Sequence, residues 1–135
     1  MKNAPLKLVL GLVCVSHLTI GIAGCLPGVP IAKLAALFYK ASIELSPQMS
    51  HIIQMFGVYM LTMGILALFA LGDPVKNRAI THGIIILLTL RVIQRIMFAG
   101  QAADVFGIPA SWYWAQTAFF GLIALLLLLL RPKEA

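Results

Sequence analysis

The sequence predicts an all-α integral membrane protein: four transmembrane helices in an antiparallel bundle, forming a single domain over residues 1–135. Two observations carry that expectation. Hydrophobic residues make up 61% of the chain and charged residues only 10%, whereas a soluble domain runs at roughly 45–50% apolar and about 25% charged. So few charges cannot cover the large relative surface of a small soluble domain. In addition, four segments are apolar over the ~20 residues that a helix needs to cross a hydrocarbon core of about 30 Å. Strands alone in lipid would leave their backbone groups unsatisfied, so the spans are read as helices. Composition thus sets aside a soluble enzyme, a disordered chain and a nucleic-acid-binding domain.

The spans are 6–26, 48–71, 79–100 and 112–130. Pro27, Gly28 and Pro30 break the first. It holds both cysteines, Cys14 and Cys25. Their spacing puts them about 16 Å apart along one helix, beyond the roughly 7 Å between Cα atoms that a disulfide tolerates. A second reading of this segment exists. Lys2 and Lys7 precede an apolar run, and Ile22-Ala23-Gly24-Cys25 resembles a bacterial lipobox, in which cleavage before Cys25 leaves a lipid-anchored cysteine. The two readings differ in whether the first span is retained.

Between the first and second spans, Leu34, Leu37, Phe38, Ala41 and Leu45 recur at helical spacing, with Lys33, Lys40 and Glu44 on the other face. The pattern predicts an amphipathic interfacial helix over 31–45. Ser46-Pro47 supplies a cap and a first-turn proline for the second span. Gly72 is expected to end that span in a left-handed conformation, and Asp73-Pro74 to start the third after a tight turn. Pro109 and Ser111 open the fourth span, which closes with leucines from Leu125 to Leu130 before Arg131-Pro132.

The net charge of +6 is read by position. Lys2, Lys7, Lys76, Arg78, Arg131 and Lys133 fall on one side, while the other carries Lys33 and Lys40 offset by Glu44 and Asp104. The asymmetry predicts both termini in the cytoplasm, with the basic residues meeting anionic lipid rather than nucleic acid, and the membrane is expected to be a bacterial inner membrane. Trp112-Tyr113-Trp114 would then lie at the outer interface.

Polar residues inside spans are the functional clue. Arg91 and Arg95 stand i, i+4 on the third span, with Gln94 between them. Three readings fit a guanidinium pair. They are a lock to a carboxylate, with Glu44 and Asp104 as candidate counter-charges, an anionic-ligand site, and a contact with a neighbouring subunit. His82 and Thr89 lie roughly opposite Arg91, so which face turns inward stays open. On the second span His51, Gln54, Val58 and Thr62 share a face, and Gly57 and Gly64 form a smooth stripe. His51, Gln54, Thr62, His82 and Thr89 are expected to make interhelical polar contacts. His17, near mid-membrane, is the candidate single ligand for haem or a pigment, but no facing histidine shares its depth. No metal site and no resident cofactor are expected, although lipid is.

No carboxylate sits mid-span, and no HExxH, GxSxG or Walker motif is present. A non-catalytic protein is therefore expected. Phe56-Gly57-Val58-Tyr59-Met60-Leu61, Gly64, Asp73-Pro74 and Arg78, with the long connection after the first span, resemble small four-helix bacterial membrane proteins of the DoxX-like type. That resemblance implies the same architecture and roles such as accessory membrane subunits, with no catalytic residues to carry over. The leading functional expectation is a non-catalytic accessory or assembly subunit of a larger membrane complex, respiratory or photosynthetic, packing helices and lipids against a partner or a second copy. The alternatives are a binding or transport protein for a small amphiphile, anionic lipid or quinone anchored by Arg91 and Arg95, and a cofactor-bearing subunit of a membrane oxidoreductase. Protease protection in sealed inverted vesicles tests the orientation: a tag after residue 135 is expected to be digested there, and its protection would reverse the topology.

Overall fold

The computed structural model describes residues 3–27 and 29–132. Lys2 and Lys133 of the charge asymmetry and Gly28 of the first breaker lie outside the described residues. The elements are α1 (Ala4–Cys25), α2 (Val29–Leu34), α3 (Pro47–Gly72), α4 (Arg78–Met97), α5 (Ala99–Phe106) and α6 (Ala110–Leu130). A π-helical turn, Ala35–Tyr39, continues α2. Helices α1, α3, α4 and α6 are each long and apolar enough to cross a membrane. The chain is an all-α membrane protein.

The helix ends follow their capping chemistry. Ser46 Oγ accepts from the Met49 amide at 3.1 Å, and Pro47 occupies the first turn of α3. Gly72, however, stays helical, and α3 ends at Asp73 in extended backbone. A left-handed residue is not needed there because side chains satisfy the last carbonyls. Lys7 Nζ donates to Gly72 O, and Asn77 Nδ2 donates to Phe69 O. Asp73 Oδ1 accepts from the Val75 and Lys76 amides, holding the turn, and α4 begins at Arg78.

Going round the bundle the spans run α1, α3, α4, α6, each antiparallel to the next. The closest pair is α1 with α3, and glycine makes it so. A Cβ added to Gly57 would lie 2.6 Å from the Gly24 carbonyl carbon, and one on Gly21 would lie 2.5 Å from the Leu61 amide nitrogen. Gly64 accepts the side chain of Leu18 in the same way. Backbones approach closely here because membrane helices associate by packing, with no water to expel from between them. The smooth stripe on α3 is therefore covered by the chain's own α1. Cleavage before Cys25 would remove that covering helix and the core residues Leu6, Leu10 and Val13.

The main core occupies the end of the bundle nearest the termini. Leu6 and Leu10 of α1, Ala67 and Ala70 of α3, Ile84 and Leu88 of α4, and Leu127 of α6 close it. The opposite end is built differently. The amphipathic helix expected over 31–45 stops at Tyr39: Lys40 takes a left-handed conformation (φ 53°) and residues 41–46 follow without regular secondary structure. Leu37, Phe38 and Leu45 of its supposed apolar face are exposed, while Ala41 is buried. The third span also ends earlier than its apolar run suggests, at Met97, and α5 follows after a break at Phe98. Gly107, at φ +63°, turns the chain from α5 into α6 in a conformation that glycine adopts without strain.

Gly57→Val is expected to lower stability in detergent by about 1–3 kcal/mol, because the added atoms push α3 off α1. Gly83→Ala, where a Cβ meets nothing within 4 Å, is expected to be neutral or stabilising by up to ~1 kcal/mol. Thermal unfolding of the two variants beside the parent checks both signs.

Candidate anion-binding cavity

Buried positions on α4 are Thr81, Ile84, Ile85, Leu88 and Arg95. Thr81, Ile84 and Leu88 step by three and then four residues and Arg95 follows seven further on, the spacing of one inward helix face. Arg91 falls on the same stripe and is half-buried. The arginines thus turn into the bundle, and the opposite face carries Thr89, which is exposed.

Arg95 is 8% exposed and bound on several sides. Its Nε donates to Thr117 Oγ1 at 2.8 Å, and its Nη2 donates to the Tyr113 carbonyl at 2.9 Å and to Gln116 Oε1 at 3.3 Å. Its carbon centre lies 4.0 Å from the centre of the Tyr113 ring, a cation–π contact. Tyr113 answers by donating its hydroxyl to the Arg95 carbonyl at 2.7 Å. The pair joins α4 to α6 in both directions. Tyr113 is consequently buried, and only Trp112 and Trp114 of the aromatic trio stand exposed.

Arg91 is held differently. Its Nη2 donates to Tyr39 Oη at 3.4 Å, and its guanidinium lies 4.5 Å from the Phe120 ring centre. Among the described residues neither arginine contacts a carboxylate. Glu44 and Asp104, the expected counter-charges, are both exposed and remain apart from them. The lock that forms is between arginine and the hydroxyls, amide and carbonyl of α6, and no ion pair closes it. The irregular run that follows Lys40 leaves Glu44 on the surface, and α5 leaves Asp104 exposed.

Arg91, Gln94 and Arg95 converge on one cavity of about 260 Å³ at the end of the bundle away from the termini. Its walls are otherwise mainly apolar: Ile20 from α1, Ile31 from α2, Phe56 from α3 and Phe106 from α5 among them. The π-helical turn roofs it with Phe38 and Tyr39. Turns of this kind recur at functional sites. The roof is tied down through its free carbonyl. Phe38 O accepts from Trp112 Nε1 at 2.8 Å and from Gln116 Nε2, so Gln116 bridges the roof and Arg95. Behind the turn, the Ser42 amide donates to Phe106 O at 2.9 Å.

The other polar residues lie elsewhere. Thr62 and Thr89 donate to carbonyls of their own helices, Val58 and Ile85, instead of crossing to a neighbour. A threonine four residues beyond a carbonyl reaches it without a partner helix. His51 is exposed and Gln54 half-buried, and among the described residues neither hydrogen-bonds to another helix. His82 does cross, accepting from Arg131 Nη1 at 3.4 Å. His17 is buried, and its Nδ1 donates to Val13 O at 2.8 Å. That bond puts the proton on Nδ1 and leaves Nε2 as the ligating nitrogen, yet Nε2 is enclosed by packed side chains with no hydrogen-bond partner. Among the described residues no three His, Cys, Asp or Glu side chains gather as a metal site.

Tyr39, Gln116, Thr117 and Phe120 complete the site and were absent from the sequence-level set. Thr117 and Phe120 follow Tyr113 at helical spacing, a signal available once Tyr113 is placed inward. Nothing in the local pattern marks Tyr39. No protein-family model, curated protein or solved structure matches the chain.

A double-mutant cycle on Arg95→Met and Thr117→Val measures the lock. Interhelical polar pairs in membranes average about 0.6 kcal/mol and reach ~1.7. A coupling in that range is expected, and a coupling of zero would remove Thr117 from it.

Proposed function

We propose that the protein is a membrane-embedded binding protein for an amphiphile with an anionic head. The head would meet Arg91 and Gln94, and the apolar body would lie against the cavity wall. One observation carries this reading: Arg91 faces an apolar cavity with no carboxylate partner among the described residues. A guanidinium at membrane depth costs about 3 kcal/mol on insertion scales. Two like charges one turn apart on a helix also repel each other. A bound anion offsets both terms at once.

The setting proposed is a bacterial inner membrane with both termini cytoplasmic, which puts the cavity toward the outer leaflet. That orientation rests on Lys7, Lys76, Arg78 and Arg131 gathering at one end of the bundle. An accessory-subunit role draws less support. The arginine stripe of α4 turns into the bundle and the glycine stripe of α3 is covered by α1, so neither is left for a partner. The protein is read as non-catalytic.

Native mass spectrometry of the detergent-purified protein tests the reading. The parent is expected to retain an anionic amphiphile that Arg91→Gln releases at unchanged thermal stability. Retention unchanged in the variant would sink it.

A further inference from the structure

The donors around Arg91 also specify what kind of anion fits. We infer that the ligand is a compact monocarboxylate with a single apolar body, aromatic or short-chain, and not a two-chain phospholipid or a phosphate monoester. This deepens the function proposed above and rests on it.

Charge comes first. Arg95 is surrounded by Thr117 Oγ1, the Tyr113 carbonyl, Gln116 Oε1 and the Tyr113 ring face. Those dipoles serve its charge within the protein. Arg91 has one long hydrogen bond and one ring face. The cavity therefore lacks one negative charge. A carboxylate supplies one, whereas a phosphate monoester brings roughly 1.5 to 2 and three oxygens to satisfy.

Donor geometry comes next. Arg91 keeps most of its N–H groups unpartnered, and a guanidinium edge matches the two oxygens of a carboxylate. Tyr39 accepts from Arg91, and its own hydroxyl proton has no acceptor among the described residues. That proton is available to the same anion. Gln94 adds an amide at the cavity wall. Two oxygens thus face a guanidinium edge and a hydroxyl.

Size completes the case. The cavity holds about 260 Å³, just below the ~300 Å³ at which pockets for drug-sized ligands begin. That space suits one small apolar body better than two acyl chains. Phe38, Tyr39, Phe56, Phe106 and Tyr113 make its lining strongly aromatic, which suits a ring or a short chain.

Titration calorimetry on the full chain in a neutral detergent tests the inference. The probes are phenylacetate and octanoate, their neutral counterparts phenethyl alcohol and octanol, and octyl phosphate. Phosphatidylglycerol retention is followed in parallel by native mass spectrometry. At least one carboxylate is expected to bind saturably and its alcohol not to. Arg91→Gln is expected to weaken that binding by roughly 10- to 100-fold, the range for a hydrogen bond to a charged group, and Tyr39→Phe by roughly 2- to 10-fold. Both variants must keep the parent's thermal unfolding, with Arg91→Lys expected to restore part of the affinity. Arg91-dependent retention of octyl phosphate or phosphatidylglycerol without carboxylate binding would overturn the carboxylate class while leaving the anion site standing. Equal binding of acids and alcohols, or no Arg91-dependent binding of any anionic probe, would overturn both.

Discussion

The burial of the Arg95 guanidinium against α6 is the interaction on which the distal half of this bundle depends. In lipid a cation with no partner is costly, so α4 has to present that residue to protein. Helix α6 offers it a hydroxyl, a side-chain amide, a backbone carbonyl and an aromatic face at the same depth. Turning Arg95 toward them sets the rotation of α4. Ile84 and Leu88 then close the core below it, and Arg91 faces the cavity. The same contact reaches the roof. Gln116 accepts from Arg95 with its oxygen and donates to Phe38 O with its nitrogen. Phe38 and Tyr39 therefore stand where they do because α6 is already engaged by α4.

The two helix pairs solve different packing problems. Helices α1 and α3 meet through glycine, which brings their backbones into close approach and leaves room for Leu18 against Gly64. Helices α4 and α6 meet through long polar and aromatic side chains toward the end away from the termini. The cavity lies at that end, and the small aliphatic core fills the other.

Much of this architecture was legible in the sequence and some of it was not, for physical reasons. Span limits came within a few residues because an apolar run bounded by Ser46-Pro47 or Pro109 has few alternative readings. Arg91, Gln94 and Arg95 were recognisable because charge at membrane depth needs an explanation. The rotation of α4 was ambiguous when His82 and Thr89 were weighed against Arg91. The heptad-like run Thr81, Ile84, Leu88, Arg91, Arg95 contains the answer, but its last two members look unlike core until Tyr113 and Thr117 are known to receive Arg95. Counting Tyr113 with Trp112 and Trp114 as an interfacial belt hid the acceptor. The connection after α1 was misread for another reason. Its apolar spacing continues past Tyr39, but a left-handed Lys40 ends the helix there. Helical periodicity in a short segment carries no information about such a stop. Tyr39 became a site residue only through that turn and the tertiary contact it permits.

Arg91 and Arg95 share residue type, helix and face, and they still differ in kind. What separates them is how many protein dipoles each can reach. Arg95 donates to three acceptors and stacks on a ring, so its charge is spread into fixed partners that need no outside ion. Arg91 sits one turn away, opposite a roof that offers a single phenol oxygen. Glu44 would have been near enough in sequence to serve, had the helix run on to carry it over the cavity. Instead the chain turns at Lys40 and leaves that carboxylate at the surface. The backbone conformation that ends the helix is thus also what leaves Arg91 without an internal counter-charge. An apolar cavity roofed by a hydroxyl and floored by such a cation is the feature on which the proposed anion site rests.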